Sequence, residues 1–251
     1  MGELILGRPA LKLEFAVSVP LDLTSALSLV FRATDPRRFD RWLVEARERL
    51  DPEARHDLDT VLGSSGRLLY YVEELLMSID PFTPEHLDAD FDAYIAHLRS
   101  LPPWAYHSMM AQSLLRVYRD RGVTVAPPDT ADRTAWRAFL EPGITRADLD
   151  EVVDLVLAPE QLKARTISLI ERFWHDCYRD EYHRTLPEMR RALRQARSTT
   201  YPSVAVAFEE LSGHRLPEEV QLALPHVERV TICPSYHLGN FAQFILYPPE
   251  L

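Results

Sequence analysis

Between Gln161 and Tyr182 apolar side chains cover most of a helical circumference: Leu162, Thr166, Ile167, Leu169, Ile170, Phe173, Trp174, Cys177 and Tyr178. A helix with one wet face shows a stripe, whereas one that is apolar most of the way round must be covered on several sides. The segment therefore belongs at the centre of the fold, and the rest of the chain has to wrap it. At 251 residues there is enough chain to do so. Pro187 follows and has no N–H for the carbonyl of His183, so the helix is expected to kink or end there.

The wrapping elements also read as helices. Phe39, Trp42, Leu43, Ala46 and Leu50 recur at three- and four-residue steps, and Leu87, Phe91, Ile95 and Leu98 repeat the pattern. Proline marks the starts, because at the first helical position its missing N–H costs nothing. Asp35-Pro36, Asp51-Pro52 and Thr83-Pro84 pair a capping residue with such a proline, and Ala158-Pro159 and Leu216-Pro217 lack the cap. Thr145 and Asp148 form a capping-box-like opening, and Gly213 sits where a left-handed C-cap belongs.

Period-two signals occur only near the two ends. Leu11, Leu13, Phe15, Val17 and Val19 alternate with polar or small residues, and Val227 to Cys233 and Phe241 to Tyr247 are the other strand candidates. The expected fold class is mainly α: a multi-helix bundle with a small antiparallel β-sheet formed by the N-terminal strand and a C-terminal hairpin. Residues 1–251 are read as a single helical domain closed by this β-clasp.

Most familiar chemistries are missing. With eight glycines there is no dinucleotide fingerprint and no phosphate loop. The run GSSG at 63–66 lacks the spacing of a nucleophile elbow and reads as a turn between helices. Asp88, Asp90 and Asp92 have the spacing that opens a calcium loop, but Ala93 and Arg99 stand where the glycine and the bidentate glutamate belong. That run reads as a solvated helix start. His175, Cys177, Glu181 and His183 are ligand types, but on a helix 175 and 177 diverge by about 200°. No metal site, cofactor or catalytic residue is expected.

Two aromatic clusters remain. Phe173, Trp174, His175, Tyr178 and Tyr182 are either core packing or the lining of an apolar ligand pocket oriented by a polar group. Trp104, Tyr106 and His107, at the start of a helix running to about Arg119, are either a hydrophobic corner or a second wall of that pocket. The net charge of −10 argues against a nucleic-acid surface spread over the chain. Arg184, Arg190, Arg191, Arg194 and Arg197 form the most basic stretch and read as a solvated helix face.

No apolar run approaches the roughly 20 residues of a membrane helix, so no membrane partner is expected. Cys177 and Cys233 suggest no disulfide framework, and the first residues lack a secretory pattern; both fit the cytoplasm.

The order of LEFAVSVPLDLTSALSLVF, DPRRFDRWLVEARERLDPE, FWHDCYRDEYHRTLPEMRRAL and VTICPSYHLGNFAQFILYP resembles the N-terminal helical region of bacterial ArsR-type winged-helix transcriptional regulators. The resemblance implies an effector or dimerisation domain that works as a homodimer and answers a small molecule. It also implies a DNA-binding winged helix C-terminal to the hairpin and absent from residues 1–251, with DNA as a partner only through it. An enzyme with an all-helical pocket and a purely structural dimerisation module are the alternatives.

Overall fold

Side-chain carboxylates and two serine hydroxyls, Ser18 and Ser203, start most of the longer helices. A computed structural model of the chain describes residues 11–35, 37–63, 70–128, 131–144, 147–239 and 242–245. Helix α1 (Val19–Arg32) is capped by Ser18, whose side chain accepts from Leu21 N. Helix α2 (Arg41–Arg49) is capped by Asp40 on Trp42 N at 2.7 Å. The start expected at Asp35-Pro36 is thus displaced: Asp35 is held by the backbone N–H and guanidinium of Arg37 instead, and Pro36 lies outside the described residues. Asp51 caps α3 (Pro52–Asp57) as expected, 2.9 Å from Ala54 N. The chain continues into a π turn over Leu58–Leu62.

Next come α4 (Tyr70–Met77), α5 (Pro84–Leu87), α6 (Phe91–Ser100), α7 (Pro103–Asp120), α8 (Arg133–Leu140) and α9 (Leu149–Leu157). Asp90 spends its carboxylate on Ala93 N, which fits the reading of that acidic run as a helix start. Asp148 itself caps α9 through Glu151 N, and Thr145 lies outside the described residues. Helix α10 (Pro159–Arg172) passes into a second π turn, Phe173–Tyr178, and then into α11 (Arg179–Arg197). Helix α11 runs through Pro187 and does not end there. Pro187 and His183 are exposed, so water can take the carbonyl that proline leaves without a donor, and burial of Met189 and Ala196 further along holds the helix. Helices α12 (Val204–Ser212) and α13 (Glu218–Ala223) follow, and Gly213 closes α12 at φ 73° as a left-handed cap. The fold is mainly α.

Residues 1–251, expected from the sequence as one domain, fall into two compact units, Ser18–Thr185 and a second made of the segments up to Val17 and from Leu186. In the first unit α10 is surrounded by α3, α6, α7 and α9. Leu162 and Leu169 are fully buried on it, each adding roughly 1.5–3 kcal/mol relative to exposure. Ion pairs flank this packing. Arg165 binds Asp57 at 2.6 Å and Glu151 at 2.8 Å, and Arg172 binds Asp51 and Glu53. Lys163 donates to the carbonyls of Arg99 and Leu101, satisfying the end of α6.

In the second unit β1 (Lys12–Phe15) pairs with β2 (Arg229–Ile232), from Lys12 opposite Arg229 to Phe15 opposite Ile232. The pairing of the early strand with the late one is as expected, but the ladder is parallel, not antiparallel. A parallel pair needs a long crossover, and the chain between Phe15 and Arg229 supplies one many times over. The second hairpin strand is not formed where it can be seen: 242–245 are irregular, and Phe241, Leu246 and Tyr247 lie outside the described residues. Among the described residues no helix is long and apolar enough to cross a membrane.

Candidate functional site

A π turn adds one residue to a helical turn, so the side chains after it face about 100° away from where an uninterrupted helix would send them. In Phe173–Tyr178 the result is that Phe173, Trp174, Cys177 and Tyr178 are all buried, at 6% exposure or less. Tyr182 follows on α11 at 6%. Ring centroids of Trp174 and Tyr182 lie 5.8 Å apart, of Trp174 and Tyr178 6.0 Å, and of Tyr178 and Tyr182 6.1 Å. The three rings make a nearly equilateral triangle, mutually tilted by 48° to 64°. Phe91, at the start of α6, stacks on Trp174 at 4.6 Å, and Phe173 stacks on Tyr178 at 5.5 Å. Trp42 of α2 leans on Tyr178 at 5.7 Å, with the guanidinium of Arg49 5.8 Å over its ring.

The polar group in this cluster is Asp22, in the first turn of α1 and buried. The Tyr178 hydroxyl donates to its carboxylate. Burial first, then the charge of Asp22 and the hydrogen bond to it, push the Tyr178 phenol well above its ordinary pKa. Glu181 is also buried and is held by Arg184 through Nε at 2.7 Å. The Cys177 thiol donates to the Ala46 carbonyl at 3.6 Å, and burial pushes it up to about 11, so it packs and does not act as a nucleophile.

Of the eight residues singled out from sequence, the structure brings Phe173, Trp174, Tyr178 and Tyr182 together. His175 is exposed, edge-on to Phe91 at 5.5 Å. The other three go elsewhere. Trp104 is 69% exposed and encloses nothing. Tyr106 is buried, with its hydroxyl donated to the Leu98 carbonyl at 2.6 Å. His107 meets Trp136 of α8 edge-on at 4.9 Å, and burial lowers its pKa. The expectation of a second pocket wall at the start of α7 gives way to a hydrophobic corner, because the ring of Trp136 covers His107 there.

Among the described residues no group of three or more His, Cys, Asp or Glu side chains is placed to hold a metal. Comparison with protein families, curated proteins and solved structures finds no match. The site is therefore read from its own chemistry: ring faces and a buried carboxylate–phenol bond, which suit binding and orientation.

Sequence reasoning missed Asp22 and Phe91 as members of this cluster. Asp22 lies in a run, PLDLTS, that reads as an ordinary helix start with an acid near the N-terminus. Its only local signal is that the neighbours on both sides are apolar.

Proposed function

We propose that the helical unit Ser18–Thr185 is the small-molecule-sensing body of a bacterial transcriptional regulator that works as a homodimer. The observation that carries this reading is the buried Asp22–Tyr178 hydrogen bond, set among stacked aromatic rings at a π turn. Small-molecule sites combine an apolar lining with few, fixed polar groups, and π turns inside long helices gather at functional positions. The resemblance to ArsR-type regulators supports the same reading. DNA contact is not assigned to these residues.

The π turn also supplies a means of transmission. A compound that displaces Trp174 or Tyr182 changes the packing that holds the extra residue. Return of the turn to α-helical register then rotates the following helix about its axis by about 100°. A ligand shifts such an equilibrium only by its difference in affinity for the two registers.

A thermal-shift screen of small aromatic and heterocyclic compounds tests the proposal. Compounds that raise Tm are expected to change tryptophan fluorescence, to be recovered chemically unchanged, and to lose their effect in Trp174→Leu and Tyr182→Leu. Conversion of a hit into product would make the site an active site. A shift untouched by both variants would place binding elsewhere.

A further inference from the structure

Three rings in a mutually tilted triangle beside a buried carboxylate have a definite electrostatic character. An aromatic face is the negative pole of the ring quadrupole, and a cation within about 6 Å of a ring centroid is attracted to it. With sides of 5.8, 6.0 and 6.1 Å, the triangle of Trp174, Tyr178 and Tyr182 lets one centre above its plane lie within that reach of all three rings. Asp22 is bonded to one vertex through the Tyr178 hydroxyl, so its negative charge sits at the edge of the same triangle. The cluster already shows this preference in miniature, since Arg49 holds its guanidinium over the neighbouring ring of Trp42. The field of the unit points the same way. Ser18–Thr185 holds 29 of the 38 acidic residues of the chain against 20 of its 28 basic ones.

We infer that the ligand bound between Trp174, Tyr178 and Tyr182 is a lipophilic organic cation, of the quaternary-ammonium or alkylated-amine class. This rests on the reading of the cluster as a small-molecule site and adds the charge of its occupant. The cation settles over the ring faces, where desolvation strengthens the attraction, and Asp22 provides the opposite charge. His175 is exposed and edge-on to Phe91, the ring that stacks on Trp174. A neutral molecule of the same shape gains the apolar contact but not the electrostatic one. An anion meets Asp22 and Glu181 as like charges.

The test uses two isosteres and an anion of similar size on the whole chain: 4-(trimethylammonio)phenol, its neutral isostere 4-tert-butylphenol, and 4-tert-butylbenzoate. Tm and tryptophan fluorescence are read across a titration of each. The cation is expected to quench fluorescence saturably, at least tenfold tighter than the neutral isostere, and the anion is expected not to bind. Asp22→Asn should bring the cation down to the level of the isostere, and Trp174→Phe should remove most of the quenching. Because the wild-type ratio of cation to isostere decides the matter, a variant that fails to fold leaves the test intact. Equal binding of cation and isostere, lost in Trp174→Leu, would overturn the charge assignment and leave the ligand site standing. Absence of binding by all three probes would overturn both.

Discussion

The segments Leu58–Leu62 and Phe173–Tyr178 leave the α-helix in the same way, each by a π turn that continues directly from an α-helix, α3 or α10, and both lie against α1. Their contents differ. The first is lined by Leu58, Val61 and Leu62, all fully buried. It ends at Gly63, where an added Cβ would come within 3.3 Å of the Phe31 ring. Its acid, Asp59, points outward to a two-oxygen pairing with Arg47 at 2.8 and 2.9 Å. The second turn is aromatic, and the acid it meets, Asp22, is buried with it. One turn thus keeps its charge at the edge and its interior aliphatic, and the other brings a charge inside. The two helices that enter these turns are tied together by Arg165 on Asp57 and by Arg172 on Asp51 and Glu53. The same backbone irregularity therefore does two jobs: the first completes a core, and the second places a polar group among rings.

Four measurements sharpen or break that contrast. Phe173→Ala is expected to lower stability by about 4 kcal/mol and Leu62→Ala by about 3 kcal/mol in urea unfolding, the ordinary range for large-to-small changes at fully buried positions. A smaller loss at 173 than at 62 would mean that the aromatic turn is the looser of the two.

Arg165→Met should cost about 2–3 kcal/mol at neutral pH, because it leaves the Asp57 carboxylate buried without its cation. Burial already raises the Asp57 pKa above its ordinary value. The carboxyl therefore takes up its proton at a higher pH than an ordinary aspartate does, and the penalty of the variant should shrink as pH falls through that region. A penalty that is flat with pH would show that the pair matters only as packing.

Tyr178→Phe keeps the ring and removes the donor to Asp22. A loss of about 1–2 kcal/mol with an unchanged circular-dichroism spectrum is expected, the cost of a buried acceptor losing a partner. The smallest effect concerns Cys177. Its folded pKa, about 11, lies above the ordinary thiol value, so between roughly pH 9 and 11 the unfolded chain releases this proton before the folded one. Stability should decline as pH rises through that window, and Cys177→Ala should remove part of the decline. Alkylation at pH 8 should modify Cys233, which is partly exposed, well before Cys177.

The helices were legible because their signals are local. Asp51-Pro52, Ala158-Pro159 and Gly213 each specify a backbone position within a residue or two, and the structure starts or stops helices there. The apolar girth of residues 161–182 placed α10 at the centre of its unit for the same reason. What failed depends on partners distant in sequence. Strand direction is not written into a four-residue alternation, so the ladder of β1 and β2 was expected to run the wrong way. Asp35-Pro36 has the right chemistry for a helix start but spends its carboxylate on Arg37, and the start moves to Asp40. Pro187 is a breaker by local rules and is overruled by the burial that follows it. At the site, half of the expected set was legible as aromatic residues at helical spacing. Trp104, Tyr106 and His107 were grouped with them by composition, and only the position of Trp136 decides otherwise. Asp22 is 156 residues from Tyr178, and no window on the sequence joins them.

The parallel register of β1 and β2 sets an order of events. Lys12 meets Arg229 across the ladder, so β1 has no strand to pair with until residues 229–232 have been synthesised. Everything in Ser18–Thr185 is synthesised before that point, with its own core of helices joined by short connections. Contacts between near neighbours in sequence form quickly, and a loop of this length closes slowly. The helical unit is thus expected to be folded while β1 still waits, and the ladder records the moment at which residues 12–15 and 229–232 meet.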